Sequence, residues 1–167
     1  LWAMTATGFG MGVVLFGNGQ QISRLIYHGE LDVYLLQPKP VLANLLLSKT
    51  VVSGWGDIAY GFILFAATQT MSVGGWALFV LFSVLMAGVL TAMRVIYHSA
   101  TFFVGNAEDF ALMASELTVS FTLYPGSIFN GPITVALYTL IPAGLIAYVP
   151  VDIFRSFDPA RLLVVLG

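Results

Sequence analysis

The chain has 167 residues, 59% of them hydrophobic and only 8% charged, with six basic residues against eight acidic ones and a formal net charge of −2. A soluble domain is about 25% charged and about 45–50% apolar, and at this length its core is too small to hide so much apolar surface. A soluble enzyme, a disordered regulator and a nucleic-acid binder are therefore excluded, the last because six scattered basic residues make no phosphate-tracking face. The apolar runs are unbroken rather than alternating, which argues against a transmembrane barrel and points to an all-α, polytopic helical membrane protein. Cysteine is absent, so no disulfide frame or thiolate metal site can form.

A membrane-crossing helix needs about 20 mostly apolar residues. Residues 1–17 supply most of one and begin inside an apolar run, so the chain reads as an internal stretch of a longer protein. Glycines at 8, 10, 12 and 17 form a small-residue stripe that lets helices approach closely, within the chain or between two copies. Residues 18–44 are the most polar and most positive stretch, holding Arg24 and Lys39, with Lys49 just beyond. Basic residues near span ends mark the cytoplasmic side, so this loop is expected inside the cell. Apolar residues at 22, 25 and 26 predict a short amphipathic helix over 20–29, which Gly29 can end. Residues 30–40 read as an extended piece closed by Pro38 and Pro40.

Further along, 45–68 reads as a second span, 69–74 as a short outer turn and 75–104 as a third, unusually long helix. A polar break at 105–109 precedes an apolar region, 110–149, that is interrupted at 125–132; another span starts at 159–167. Residues 110–124 would make only ~22 Å of helix, short for a full crossing. The region is thus either two crossings or one helix broken at its outer end. Non-helical backbone at membrane depth is tolerated only inside protein or beside a water-filled cavity, so both alternatives place function there.

Three charges fall within apolar segments: Asp57, Arg94 and Glu116. Such groups are costly in a membrane and face a partner or a cavity. Asp57 lies ~18 Å from the inner end of its span and Arg94 ~15 Å from the inner end of the next. The matching depths allow an Asp57–Arg94 ion pair. Glu116 is a competing partner for Arg94, and snorkelling of Arg94 to headgroups is the other alternative. No chemistry-bearing motif accompanies them. His28 and His98 lack a carboxylate at zinc-ligand spacing, no Gly-x-Ser-x-Gly elbow occurs, and no catalytic residue, metal or cofactor is expected.

Two stretches carry a family resemblance. Gly29-Glu30-Leu31-Asp32-Val33-Tyr34-Leu35-Leu36-Gln37-Pro38 resembles the signature loop of the membrane subunits of ABC-2 type exporters. Tyr124-Pro125-Gly126-Ser127-Ile128-Phe129, followed by the segment from Ile141-Pro142 to Val149-Pro150, resembles the second signature of the same family, in the same order. Gln37 and Phe129 depart from it, standing where a basic residue and a tyrosine are common. The resemblance implies an exporter permease fragment in the cell inner (plasma) membrane, surrounded by lipid and binding no nucleic acid. It further implies a dimer with a second permease subunit, like or unlike, driven by a separate ABC ATPase subunit. Glu30, Leu31, Asp32, Tyr34, Leu35, Leu36 and Pro38 would then belong to the loop that couples to the ATPase. Tyr124, Pro125, Gly126, Pro142 and Pro150 would belong to a broken helix along the pathway. Two other functions stay open on the residues alone: an intramembrane lipid-acting enzyme using Asp57, Glu108 or Glu116, and an ion-coupled secondary carrier.

Overall fold

A computed structural model describes residues 2–68 and 73–124, together with Ile128, Phe129, Gly131, Thr134, Val135, Leu137 and Tyr148. Among these residues no strand occurs. The helices are α1 (Trp2–Leu15), α2 (Ile22–Tyr27), α3 (Asp32–Leu35), α4 (Val41–Leu47), α5 (Gly54–Thr68), α6 (Val73–Ser99), α7 (Thr101–Val104) and α8 (Glu108–Leu123), with a 3-10 turn at Gly17–Gln21.

The position of α1 follows from its side chains. Apolar and small residues surround it on every side, the pattern of a helix packed all round, and it contacts α5, α6 and α8. Its glycines set how close these neighbours come. The backbone at Gly10 meets that of Gly54 so tightly that a β-carbon on Gly10 would stand 2.6 Å from the Gly54 carbonyl oxygen. A β-carbon on Gly61 would run into the Thr7 hydroxyl and the Ala3 carbonyl. On the α6 side, Gly8 faces Met86 and Gly12 faces Ala87 and Thr91. The small-residue stripe is therefore used within the chain.

Apolar side chains fill three levels along α1. At one end Met4 joins Phe65, Phe79 and Phe82, with Phe62 and Trp76 against them; the Phe65 and Phe79 rings stack at 4.1 Å between centroids. Midway, Phe9 and Val119 pack on Met86 and Leu90. At the other end Ile22, Leu25, Leu45 and Leu46 form a separate cluster.

The long third helix is present: Val73–Val104, 32 residues through α7, is apolar and long enough to cross a membrane, and it is the one such helix among the described residues. Its ~48 Å of rise exceeds the ~30 Å hydrocarbon core. It stops at Gly105, whose φ of 82° ends the helical path. Trp2–Leu15 and Gly54–Ala67 are shorter apolar helices.

Two expectations need correction. The stretch 45–68 is not one helix. It breaks after α4, and α5 restarts at Gly54, so Asp57 sits in the first turn of α5 and not about midway up a longer span. The Asp57–Arg94 pair is also not formed: α1 runs between α5 and α6 at this level, with Asp57 against Gly10 and Arg94 over the Phe9 ring. Matching depth cannot bring the two charges together across an intervening helix.

The tight α1–α5 contact gives a direct prediction. Gly61→Ala should lower stability by about 1–3 kcal/mol, the usual cost of overpacking. Gly56→Ala, whose β-carbon would meet nothing within 4 Å, should hold or gain stability through helix propensity. Thermal unfolding of the two purified variants in one detergent checks the contrast, and equal losses would refute it.

Candidate functional site

Two places gather polar groups: the loop of residues 18–44 and a cavity lined by α1, α6 and α8. In the loop, the 3-10 turn carries Asn18 under the end of α1, where it is only 3% exposed. Its Nδ2 donates to the Leu45 carbonyl at 3.0 Å and to Ser48 Oγ at 2.8 Å, with Tyr34 Oη 3.3 Å away. Ser48 in turn donates to the Leu45 carbonyl and lies 3.2 Å from Tyr34 Oη. Lys49 Nζ donates to Gln21 Oε1, and Asn44 Nδ2 donates to Gln37 Oε1. Buried polar groups that are fully partnered fix one arrangement, so this network pins the loop to the C-terminal end of α4.

The chain reverses after α2. Gly29 takes φ 73°, a left-handed geometry that suits glycine at a helix end, and the Leu31 N–H reaches back to the Leu25 carbonyl. Residues 30–40 were expected to be extended, but the chain forms a helical turn over Asp32–Leu35. The reason is packing. Leu31 and Tyr34 both rest on the Ile22–Leu25–Leu45–Leu46 cluster, and a spacing of three puts them on one face only if the backbone is helical. The residues expected to couple to a partner thus divide. Leu31 and Tyr34 are half-buried and hold the loop, whereas Glu30, Asp32, Leu35, Leu36 and Pro38 are exposed, Leu36 to 85%.

The cavity measures about 430 Å³ and is lined by Phe9, Gln20, Arg94, His98, Ser115 and Glu116, among others. Arg94 and His98 are one turn apart on α6 and both are buried. The guanidinium lies 5.1 Å from the centroid of the Phe9 ring, a cation–π arrangement. His98 Nδ1 is 2.7 Å from Ser23 Oγ, so the ring ties α6 to α2. Glu116 lines the same cavity as Arg94, yet no ion pair joins them among the described residues.

Sequence reasoning named Arg94 and Glu116, which the fold brings to one cavity, and Asp57, which it places elsewhere. Asn18 and the Ser23–His98 contact were missed. The available signal for Asn18 was an amide next to glycine at the end of an apolar run; a contact between residues 75 positions apart leaves no local trace. Tyr124 ends α8 in extended conformation. Pro125, Gly126, Pro142 and Pro150, like the stretch 159–167, lie outside the described residues.

In comparison with known proteins, the sequence model of the family described as ABC-2 family transporter protein matches residues 4–157. No curated protein and no solved structure matches the chain.

The loop network predicts a ranking. Asn18→Leu strands buried acceptors and should cost about 1–3 kcal/mol, whereas Tyr34→Phe removes one peripheral bond and should cost about 0.5–1.5 kcal/mol. Thermal unfolding of both variants measures the order, and a larger loss for Tyr34→Phe would reverse the assignment of Asn18 as the hub.

Proposed function

The chain belongs to the ABC-2 family of transporter proteins, and from that premise we propose that this membrane transport permease is the pathway subunit of an ATP-driven exporter. It works as a dimer in the inner (plasma) membrane, crosses it several times, and is driven by a separate ABC ATPase subunit that grips the cytoplasmic 18–44 loop. Membership in a family of transporter membrane components favours this reading over a lipid-acting enzyme or an ion-coupled carrier.

The observation that carries the coupling is the exposed apolar edge of a pinned loop. Val33, Leu35 and Leu36 are 61%, 55% and 85% exposed while their neighbours Leu31 and Tyr34 are anchored. Burying a leucine side chain in a partner's groove is worth about 1.5–3 kcal/mol, and interface cores are apolar with charges at the rim. Glu30 and Asp32 flank the edge as such a rim. A rigid loop is required because a floppy one would absorb the ATPase stroke instead of passing it on. The Ser23–His98 contact offers the route from α2 into the long α6.

The division between anchoring and docking residues makes the test specific. Leu35→Asp should leave folded yield and thermal unfolding unchanged while reducing co-purified ATPase subunit and transport at least tenfold. Leu31→Asp should instead lower folded yield, because it strikes the cluster beneath the loop. Glu30→Gln should weaken the ATPase only modestly, and more at low salt than at high salt. If Leu35→Asp keeps both ATPase and transport, the loop is not the coupling element.

A further inference from the structure

The cavity between α1, α6 and α8 is lined by two buried side chains, each with a nitrogen that lacks a hydrogen-bond partner among the described residues. Arg94 is 5% exposed and its Nη1 has no hydrogen-bond partner among the described residues; His98 is fully buried and its Nε2 has none either. Both side chains line the cavity. Buried polar atoms are nearly always partnered, and an unpaired guanidinium is among the costliest exceptions. The Phe9 ring covers a face of the guanidinium, which leaves its edge for an acceptor. Ser23 holds the imidazole through Nδ1, so a ligand acceptor at Nε2 selects the tautomer in which Nε2 carries the proton and Ser23 donates to Nδ1.

An anion alone does not suit the whole cavity, because Glu116 lines it too and stands exposed at its α8 side. Arg94 and Glu116 share the space without pairing. One ligand that carries both charges satisfies each of them. The cavity volume, about 430 Å³, falls in the range of small-molecule sites, about 300–1,000 Å³. Leu112 and Val119 add apolar lining on α8.

We propose that this cavity binds the head of a zwitterionic amphiphile, with its anionic group between Arg94 and His98, its ammonium group at Glu116, and its apolar part along Leu112 and Val119. Binding to this cavity is read on the permease alone, so its test needs no ATPase. The purified permease is titrated with dioctanoyl phosphatidylethanolamine below its micelle concentration, with dioctanoyl phosphatidylglycerol and inorganic phosphate as comparison probes, and the rise in unfolding temperature is followed.

The expected result is a saturable rise with phosphatidylethanolamine at concentrations where the other two probes give little. Arg94→Gln should weaken the apparent affinity at least tenfold, and Arg94→Lys should restore part of it. Glu116→Gln should abolish the preference for phosphatidylethanolamine over phosphatidylglycerol. Should Arg94→Gln fail to fold, Ser120→Trp, at an exposed position on the cavity lining, leaves both buried donors in place, adds bulk to the cavity and should abolish the rise. Equal response to phosphatidylglycerol overturns the zwitterionic assignment. A response to inorganic phosphate alone overturns the amphiphile. A rise that survives Ser120→Trp, or no saturable rise at all, overturns the site.

Discussion

The close approach of α1 to α5 and α6 is the constraint on which the rest of the arrangement depends. Glycine against glycine at positions 10 and 54, and glycine against a threonine hydroxyl at 61 and 7, let α1 sit among its neighbours instead of beside them. Without strong hydrophobic drive between helices in lipid, such backbone proximity and the packing it permits hold helices together. It has two consequences further along the chain. It keeps Asp57 and Arg94 on separate sides of α1, and it delivers Gly17 and Asn18 to the point where the loop must be anchored.

From that anchor the loop gains a firmness its composition does not suggest. An amide at the end of α1 joins Tyr34, Leu45 and Ser48, an isoleucine–leucine cluster packs under the loop, and a histidine–serine contact links it to the long helix. On the proposed reading, this is how a push at an exposed leucine edge becomes a movement of α6. The same helix carries Arg94 and His98 into the cavity, so the coupling route and the candidate ligand site meet on α6 within one turn. Family membership establishes a transport permease; the loop and cavity supply the residues by which it would be driven and loaded.

Much of this was legible in the sequence because apolar periodicity and glycine spacing are local. The long third helix was expected at 75–104 and is found from Val73 through Val104. The apolar face at 22, 25 and 26 marks α2 correctly, and Gly29 does end it. What the sequence did not reveal depended on partners distant along the chain. The break before Gly54 is hidden because Leu45–Leu47 and Val51–Val52 are as apolar as a span. The helical turn at Asp32–Leu35 is set by a cluster to which Leu45 and Leu46 contribute. The failed Asp57–Arg94 pair shows the same limit: depth along two helices was readable, but the helix lying between them was not.

Docking of an ATPase subunit on the exposed edge of the 18–44 loop can be caught by covalent capture in the membrane. Leu36, at 85% exposure, is replaced by a photoreactive benzoylphenylalanine in cells that carry the whole transporter, and the adducts formed on illumination are identified by mass spectrometry. The expected result is an adduct with a Walker-motif ATPase subunit, stronger from position 36 than from the half-buried position 31. Adducts with lipid alone, or with the permease itself, would contradict it.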